Sequence, residues 1–164
     1  MLYFSYGSNM SIRRLKARTP SAEFVSVARL TQHVMRFHKA GRDGSAKCDA
    51  LFTGDNADSV IGVVFRIACE QQSALDFAEG LGNGYERKQV QLLSSTKLRL
   101  QAFTYYATLI DASMKPYHWY KHHVLVGCRE HKLPAAYVKQ IAEIESVADP
   151  DKKRAAREAA LYST

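Results

Sequence analysis

The sequence predicts an α+β fold, a small mixed β-barrel or curled sheet with surrounding helices. Three observations carry that expectation. About six stretches have the alternation or short apolar run of a strand, and four or five have helical spacing. Strands and helices neither alternate strictly nor fall into separate blocks. No repeat or low-complexity linker interrupts the 164 residues, which suit a single domain over 1–164.

The first strand is Met1-Leu-Tyr-Phe-Ser-Tyr6, which runs directly into Gly7-Ser8-Asn9 and a basic helical segment, Ser11–Arg18. A strand, a tight turn and a helix start together leave backbone N–H groups without internal partners, a setting that receives anions. Thr19-Pro20 marks a break. Glu23–Lys39 then reads as one long strand or two short ones, ending in a polar loop over 38–47 with an Asp43-Gly44 turn signal. Cys48–Thr53 is a short strand and Val60–Ile67 the clearest buried one.

Glu70–Ala78 is a short helix that meets Glu79-Gly-Leu-Gly-Asn-Gly-Tyr85, where three glycines allow the chain to pass close to a ligand. Arg87–Leu93 and Leu98–Leu109 alternate and are joined by Ser94-Ser-Thr96, a hairpin. Three helices follow: Tyr117–Cys128, a second opened by Leu133-Pro134, and a charged C-terminal one within 149–164. Asp149 is expected as the N-cap of the last, with Pro150 at its first position.

Hydrophobic content of 46% and charged content of 24% are those of an ordinary globular chain. No apolar run approaches the ~20 residues of a membrane span, and no basic-then-apolar leader opens the chain. Three widely spaced cysteines, Cys48, Cys69 and Cys128, argue against a disulfide framework and for a cytoplasmic setting. The net charge is +7, with basic clusters at Arg13, Arg14, Lys16, Arg18 and at Lys152, Lys153, Arg154, Arg157. These read first as solvated helix faces. Attraction of an anionic ligand is the functional alternative, and nucleic acid is not the expected partner because its recognition motifs are missing.

Glu79 is the most suggestive single residue, an acid where a helix enters a glycine-rich loop. Its ordinary reading is an exposed helix-end carboxylate, and a negative charge is disfavoured at that end. Glu86 is a rival that alternation assigns to a solvated ion pair. His118 and His122 share a helix face, but no third ligand has metal-site spacing. No cysteine has a base at nucleophile spacing. Nine tyrosines are available to a cleft; Tyr3, Tyr6, Tyr85, Tyr117 and Tyr120 flank the turn, the glycine loop and the later helix.

Taken together these motifs resemble a known family. Tyr3-Phe-Ser-Tyr-Gly-Ser-Asn-Met10 resembles the opening motif of the γ-glutamylcyclotransferases, within the AIG2-like superfamily. Leu75-Asp-x-x-Glu79-Gly80 resembles the segment carrying that family's catalytic glutamate, and Tyr120-Lys121 with Leu133-Pro134-x-x-Tyr137 resembles its C-terminal part. Phe37-His-Lys and Asp43-Gly-Ser-x-Lys47 look like bacterial members. The pieces lie in the family's order over nearly the whole chain to about Ser146.

The resemblance implies a barrel-centred α+β fold and an acyl-transfer cyclisation of lyase type, without metal or cofactor. The α-amine of a γ-glutamyl unit attacks its own γ-amide carbonyl, releasing 5-oxoproline and an amine or amino acid. Glu79 carries over as the catalytic residue. Tyr3, Phe4, Ser5, Tyr6, Gly7, Ser8, Asn9, Tyr85 and Tyr120 carry over as the substrate-binding set. Relatives acting on γ-glutamylamine cross-links carry a Tyr-Gly-Thr-Leu turn, from which Ser8-Asn9 departs; Met10 stands where leucine is usual. Removal of a γ-glutamyl group from a biosynthetic intermediate, and a non-catalytic binding domain on the same fold, stay open beside it. The family resemblance also allows a homodimer.

Overall fold

The computed structural model describes residues 1–162; Ser163 and Thr164, the end of the expected C-terminal helical segment, lie outside the described residues. Five strands close a barrel in the order β1 (Leu2–Ser5), β5 (Ser59–Arg66), β2 (Glu23–Thr31), β6 (Tyr85–Ser94), β7 (Arg99–Ala107). The barrel is mixed: its pairs are antiparallel except β1 with β7, which close it in parallel at Tyr3 and Phe103. β3 (His33–Ala40) and β4 (Ala46–Phe52) form a separate two-stranded sheet. The described residues thus hold seven strands where the sequence suggested about six.

Local chemistry accounts for the differences. The long apolar stretch 23–39 breaks into β2 and β3 at Gln32, which takes φ 59 and ties the corner by donating to the Asp58 carbonyl and accepting from Thr53. Phe4 of β1 and Val60, Val63, Val64 and Phe65 of β5 are all fully buried, so β5 is apolar on both faces. Gly62 permits the close approach of β1: a Cβ there would lie 2.3 Å from the Ser5 carbonyl oxygen.

The helices sit outside. α1 (Ile12–Lys16) is shorter than the Ser11–Arg18 reading, because Ser8–Met10 form a 3₁₀ turn and Ser11 caps α1 with extended backbone. α2 (Gln72–Glu79) ends at Gly80 in the left-handed conformation, φ 74, whose N–H reaches the Phe77 carbonyl. α3 (His118–Glu130) lies directly on the opening turn, with Gly127 facing Met10. α4 (Ala135–Glu143) and α5 (Lys152–Ala160) follow.

One expected cap is corrected. Asp151, not Asp149, is the N-cap of α5, its side chain accepting from the Arg154 N–H at 3.0 Å. Asp149 is taken instead by the Arg154 guanidinium, with both hydrogen bonds at 2.6 Å, and by the Trp119 indole at 2.8 Å. Pro150 therefore lies outside the helix rather than at its first position.

Candidate active site

The end of β1 turns sharply at Gly7, where a larger side chain would press on Cys48: a Cβ would stand 3.2 Å from that of Cys48. The following 3₁₀ turn is closed by the Met10 N–H donating to the Gly7 carbonyl at 3.0 Å. The N–H groups at the start of such a turn have no acceptor within it. Among the described residues, no other group takes the amides of Gly7 and Ser8.

Seventy residues on, the last side chain of α2 reaches this turn. Glu79 Oε1 accepts from Asn9 Nδ2 at 2.7 Å and from Arg18 Nη1 at 2.9 Å. Arg18 Nη1 also donates to Asn9 Oδ1 at 2.6 Å, so the three side chains form one closed polar cluster. Tyr3 completes it, its hydroxyl 3.3 Å from Asn9 Nδ2. The helix-end geometry that made Glu79 doubtful as a sequence feature is compensated by the Arg18 cation.

A cleft opens beside the cluster, lined by Tyr3, Ser5, Tyr6, Gly7, Ser8, Asn9, Glu79, Tyr85 and Tyr120, together with Cys48, Thr104 and Tyr105. Of the nine substrate-facing candidates, eight therefore border one space. Phe4 does not. Its ring points into the barrel and is fully buried against β5, as strand alternation between Tyr3 and Ser5 requires. The Phe4 carbonyl serves the fold by accepting from the Thr104 hydroxyl at 2.8 Å.

The tyrosines are fixed through backbone groups. Tyr6 donates to the Tyr105 carbonyl at 2.6 Å, and Tyr85 donates to the Cys48 carbonyl. Tyr120 accepts from the Cys48 N–H at 3.0 Å, which leaves its own proton uncommitted by that bond. Tyr85 belongs to the first position of β6 rather than to the glycine loop. Burial pushes the hydroxyls of Tyr3, Tyr6, Tyr85 and Tyr120 well above the ordinary tyrosine range; the negative charge of Glu79 adds to the rise at Tyr3, Tyr85 and Tyr120. Burial likewise pushes the Cys48 thiol up. All five stay protonated at neutral pH. Glu79 is the one carboxylate among the residues lining the cleft.

Residue patterns left several neighbours unread. Arg18 and Arg14 were grouped with a solvated helix face, yet Arg18 grips Glu79, and Arg14 bonds Ser8 Oγ at 3.3 Å and Glu158 at 2.9 Å. Arg154 is likewise turned inward to Asp149. Tyr105 donates to Asp76 at 2.6 Å, and Asp76 pairs with Arg87, bracing α2 against the barrel. Among the candidate metal ligands, His118 bonds Ser146 Oγ at 2.8 Å and His122 stands edge-on to Tyr162.

The chain is 32% identical over 148 residues to the γ-glutamylcyclotransferase of Bos taurus, an alignment covering 88% of this chain and 78% of that protein. The γ-glutamylcyclotransferase of Homo sapiens is 30% identical over the same shares. This chain belongs to the γ-glutamylcyclotransferase family. The AIG2-like family model matches residues 59–141, a span that includes Glu79, Tyr85 and Tyr120. A solved structure described as a γ-glutamyl cyclotransferase aligns with a TM-score of 0.83 at 27% identity, covering 90% of this chain and 89% of that one. The closed mixed barrel with outer helices is thus the architecture of γ-glutamylcyclotransferases, as the resemblance implied.

Proposed function

We propose that this γ-glutamylcyclotransferase-family chain converts a γ-glutamyl amide into 5-oxoproline and a free amine or amino acid. The observation that carries the reading is the 2.7 Å contact between Asn9 of the opening turn and Glu79, the lone carboxylate of the cleft. It sets a proton acceptor beside backbone amides able to hold an oxygen that gains charge.

In this reading the α-amine of the γ-glutamyl unit attacks the γ-carbonyl carbon. One N–C bond forms, the amide C–N bond breaks, and one proton passes from the attacking nitrogen to the leaving one. The step balances without a cofactor. Glu79 takes that proton and returns it, a role that contributes about 10²–10⁴-fold. The Gly7 and Ser8 amides hold the carbonyl oxygen or the substrate carboxylate, with Gly7 allowing the approach. Tyr3, Tyr6, Tyr85 and Tyr120 supply walls and neutral hydroxyls, since none of them ionises near neutrality. Ser5 Oγ, buried at the cleft wall without a hydrogen-bond partner among the described residues, is a further contact for a polar substrate atom. Holding the γ-glutamyl unit bent into a ring-forming pose supplies on the order of 7–11 kcal/mol in well-oriented cases.

Mass-spectrometric detection of 5-oxoproline from a panel of γ-glutamyl compounds tests the reading. No product from any of them, from a folded protein, would sink it. The cleft continues outward into a wider mouth lined by Arg42, Phe77, Asn83 and Trp119, which favours carrying removal of a γ-glutamyl group from a bulkier biosynthetic intermediate as a second reading. The same panel separates the two. Among the described residues no helix is long and apolar enough to cross a membrane. A cytoplasmic setting is our proposal, supported by the free, buried thiols Cys48 and Cys128. A homodimer is proposed on family likeness, and sedimentation velocity at micromolar protein tests it.

A further inference from the structure

The outer mouth of the cleft is lined by six cations, of which four are matched by a carboxylate and one, Arg42, is exposed to solvent. Arg14 pairs with Glu158 at 2.9 Å, Arg18 with Glu79 at 2.9 Å, Lys47 with Asp43 at 2.7 Å and Arg154 with Asp149 at 2.6 Å. Lys39 is different. It is 5% exposed, and among the described residues it has neither an ion-pair partner nor a side-chain hydrogen bond. Its ammonium stands 4.9 Å from the centre of the Tyr85 ring, and it lines the mouth together with Glu79, Arg42 and Asn83.

The fold makes room for this group. Gly84, at φ +105, is the residue that would collide with it: a Cβ there would come within 2.9 Å of Lys39 Cε and 3.0 Å of Nζ. Across the hairpin Lys39 is registered opposite Lys47, whose own charge is taken by Asp43. Burial, then the charge of Arg42, lower the Lys39 pKa from its ordinary value, and the charges of Glu79 and Asp43 offset only part of that fall. A cation-π contact returns only part of what a buried ammonium loses on leaving water. An unmatched, largely buried cation in a substrate channel is therefore most readily completed by an anion from the ligand.

The position says which part of the ligand. The mouth shares Ser8, Glu79, Tyr85 and Tyr120 with the inner cleft, so a γ-glutamyl unit held inside would send its amide substituent past Lys39. We propose that Lys39 is a specificity-determining residue that binds a carboxylate on the leaving amine. A leaving group that carries a carboxylate is then held at Lys39, and one that lacks it is not. The inference rests on the cyclotransferase reading above.

The test is a pair of substrates that differ by one carboxylate, γ-glutamyl-alanine and γ-glutamyl-ethylamide. The wild-type protein should favour the first in kcat/KM by about tenfold to a hundredfold, the range of one charge-assisted hydrogen bond. Lys39→Met should cut that ratio at least tenfold, chiefly through KM for γ-glutamyl-alanine, and Lys39→Arg should keep most of it. A residue that only supports the fold would depress both substrates together and leave the ratio unmoved; that result, or an equal wild-type rate on both, overturns the proposal. If neither compound yields 5-oxoproline, the cyclotransferase reading fails. Calorimetric Kd values for the same pair, in Glu79→Gln and in Glu79→Gln/Lys39→Met, then decide on Lys39 separately: a carboxylate preference lost with Lys39 upholds it, and equal affinities or no binding reject it.

Discussion

Asn9 and Glu79 stand seventy residues apart in the chain and 2.7 Å apart in space. Asn9 also accepts from Arg18, whose guanidinium donates in turn to Glu79. One amide side chain thus presents its oxygen to a cation and its nitrogen to a carboxylate. The opening turn and the end of α2 are held as one unit, and the orientation of the carboxylate is set before any ligand arrives.

Glu79→Gln keeps the size of the side chain and removes its proton affinity. The expected outcome is a fall in kcat of about 10²–10⁴-fold for 5-oxoproline release. Circular dichroism should be unchanged, because the variant amide can still accept from Asn9. A variant with near-wild-type turnover would remove Glu79 from the mechanism.

Asn9→Ala leaves the Arg18–Glu79 ion pair in place but frees its orientation. Misplacing a reacting group by about 1 Å can cost about 10²-fold, so kcat/KM should fall by that order. Loss of the hydrogen bonds should cost about 1 kcal/mol, or roughly 2–4 °C in Tm for a chain of this size. A thermal shift of that size with unaltered kinetics would make Asn9 a structural brace alone.

Gly127→Ala tests what holds the turn from behind. The added Cβ would stand 2.4 Å from Met10 Cβ and 2.6 Å from the Met10 carbonyl carbon and the Ser11 nitrogen, atoms that cannot swing aside. Overpacking of this kind costs about 1–3 kcal/mol. Gly82→Ala is the contrast: it meets nothing within 4 Å and carries only the left-handed strain of φ +75, about 1–2 kcal/mol. Chemical denaturation of both should show similar or greater loss at Gly127, with 5-oxoproline release impaired more at Gly127 because the Ser8–Asn9 turn must shift.

Features carried by local sequence were readable in advance. The aromatic β1, the turn at Gly7 and the helix end at Glu79 each depend on a few consecutive residues, and motif order tied them together. Helix and strand limits were less legible where a single residue takes unusual backbone, as Gln32 does, or where two acids compete for one cap, as Asp149 and Asp151 do. Phe4 was grouped with its motif although strand alternation turns its ring into the core. Arg18 and Lys39 could not be assigned at all. Their surroundings are built by β3, α2 and the glycine loop, so nothing in their immediate neighbours marks one cation as paired and the other as free.

The last helix adds an acid-sensitive link to this arrangement. His123, fully buried on α3, bonds Glu158 of α5 at 3.0 Å and the Tyr162 hydroxyl at 2.8 Å, while Glu158 also holds Arg14, which touches Ser8. Burial keeps the His123 pKa below its ordinary 6.5, outweighing the raising effect of Glu158; the hydrogen bond from His123 and the Arg14 charge hold Glu158 down at about 2 against 4.5. Both groups bind protons more readily once released, so each contributes stability at high pH and loses it as pH falls. Unfolding free energy should therefore be level above about pH 6.5, decline as the unfolded histidine protonates, and decline further between about pH 4.5 and 2. Urea titrations followed by Trp119 fluorescence at several pH values measure this directly. His123→Gln should reduce the upper limb of the decline, which His33 and His131 share, and Glu158→Gln the lower one, which Asp43 and Asp149 share. A wild-type stability curve that stays flat from pH 7 to pH 5 would show that His123 does not couple α5 to the turn.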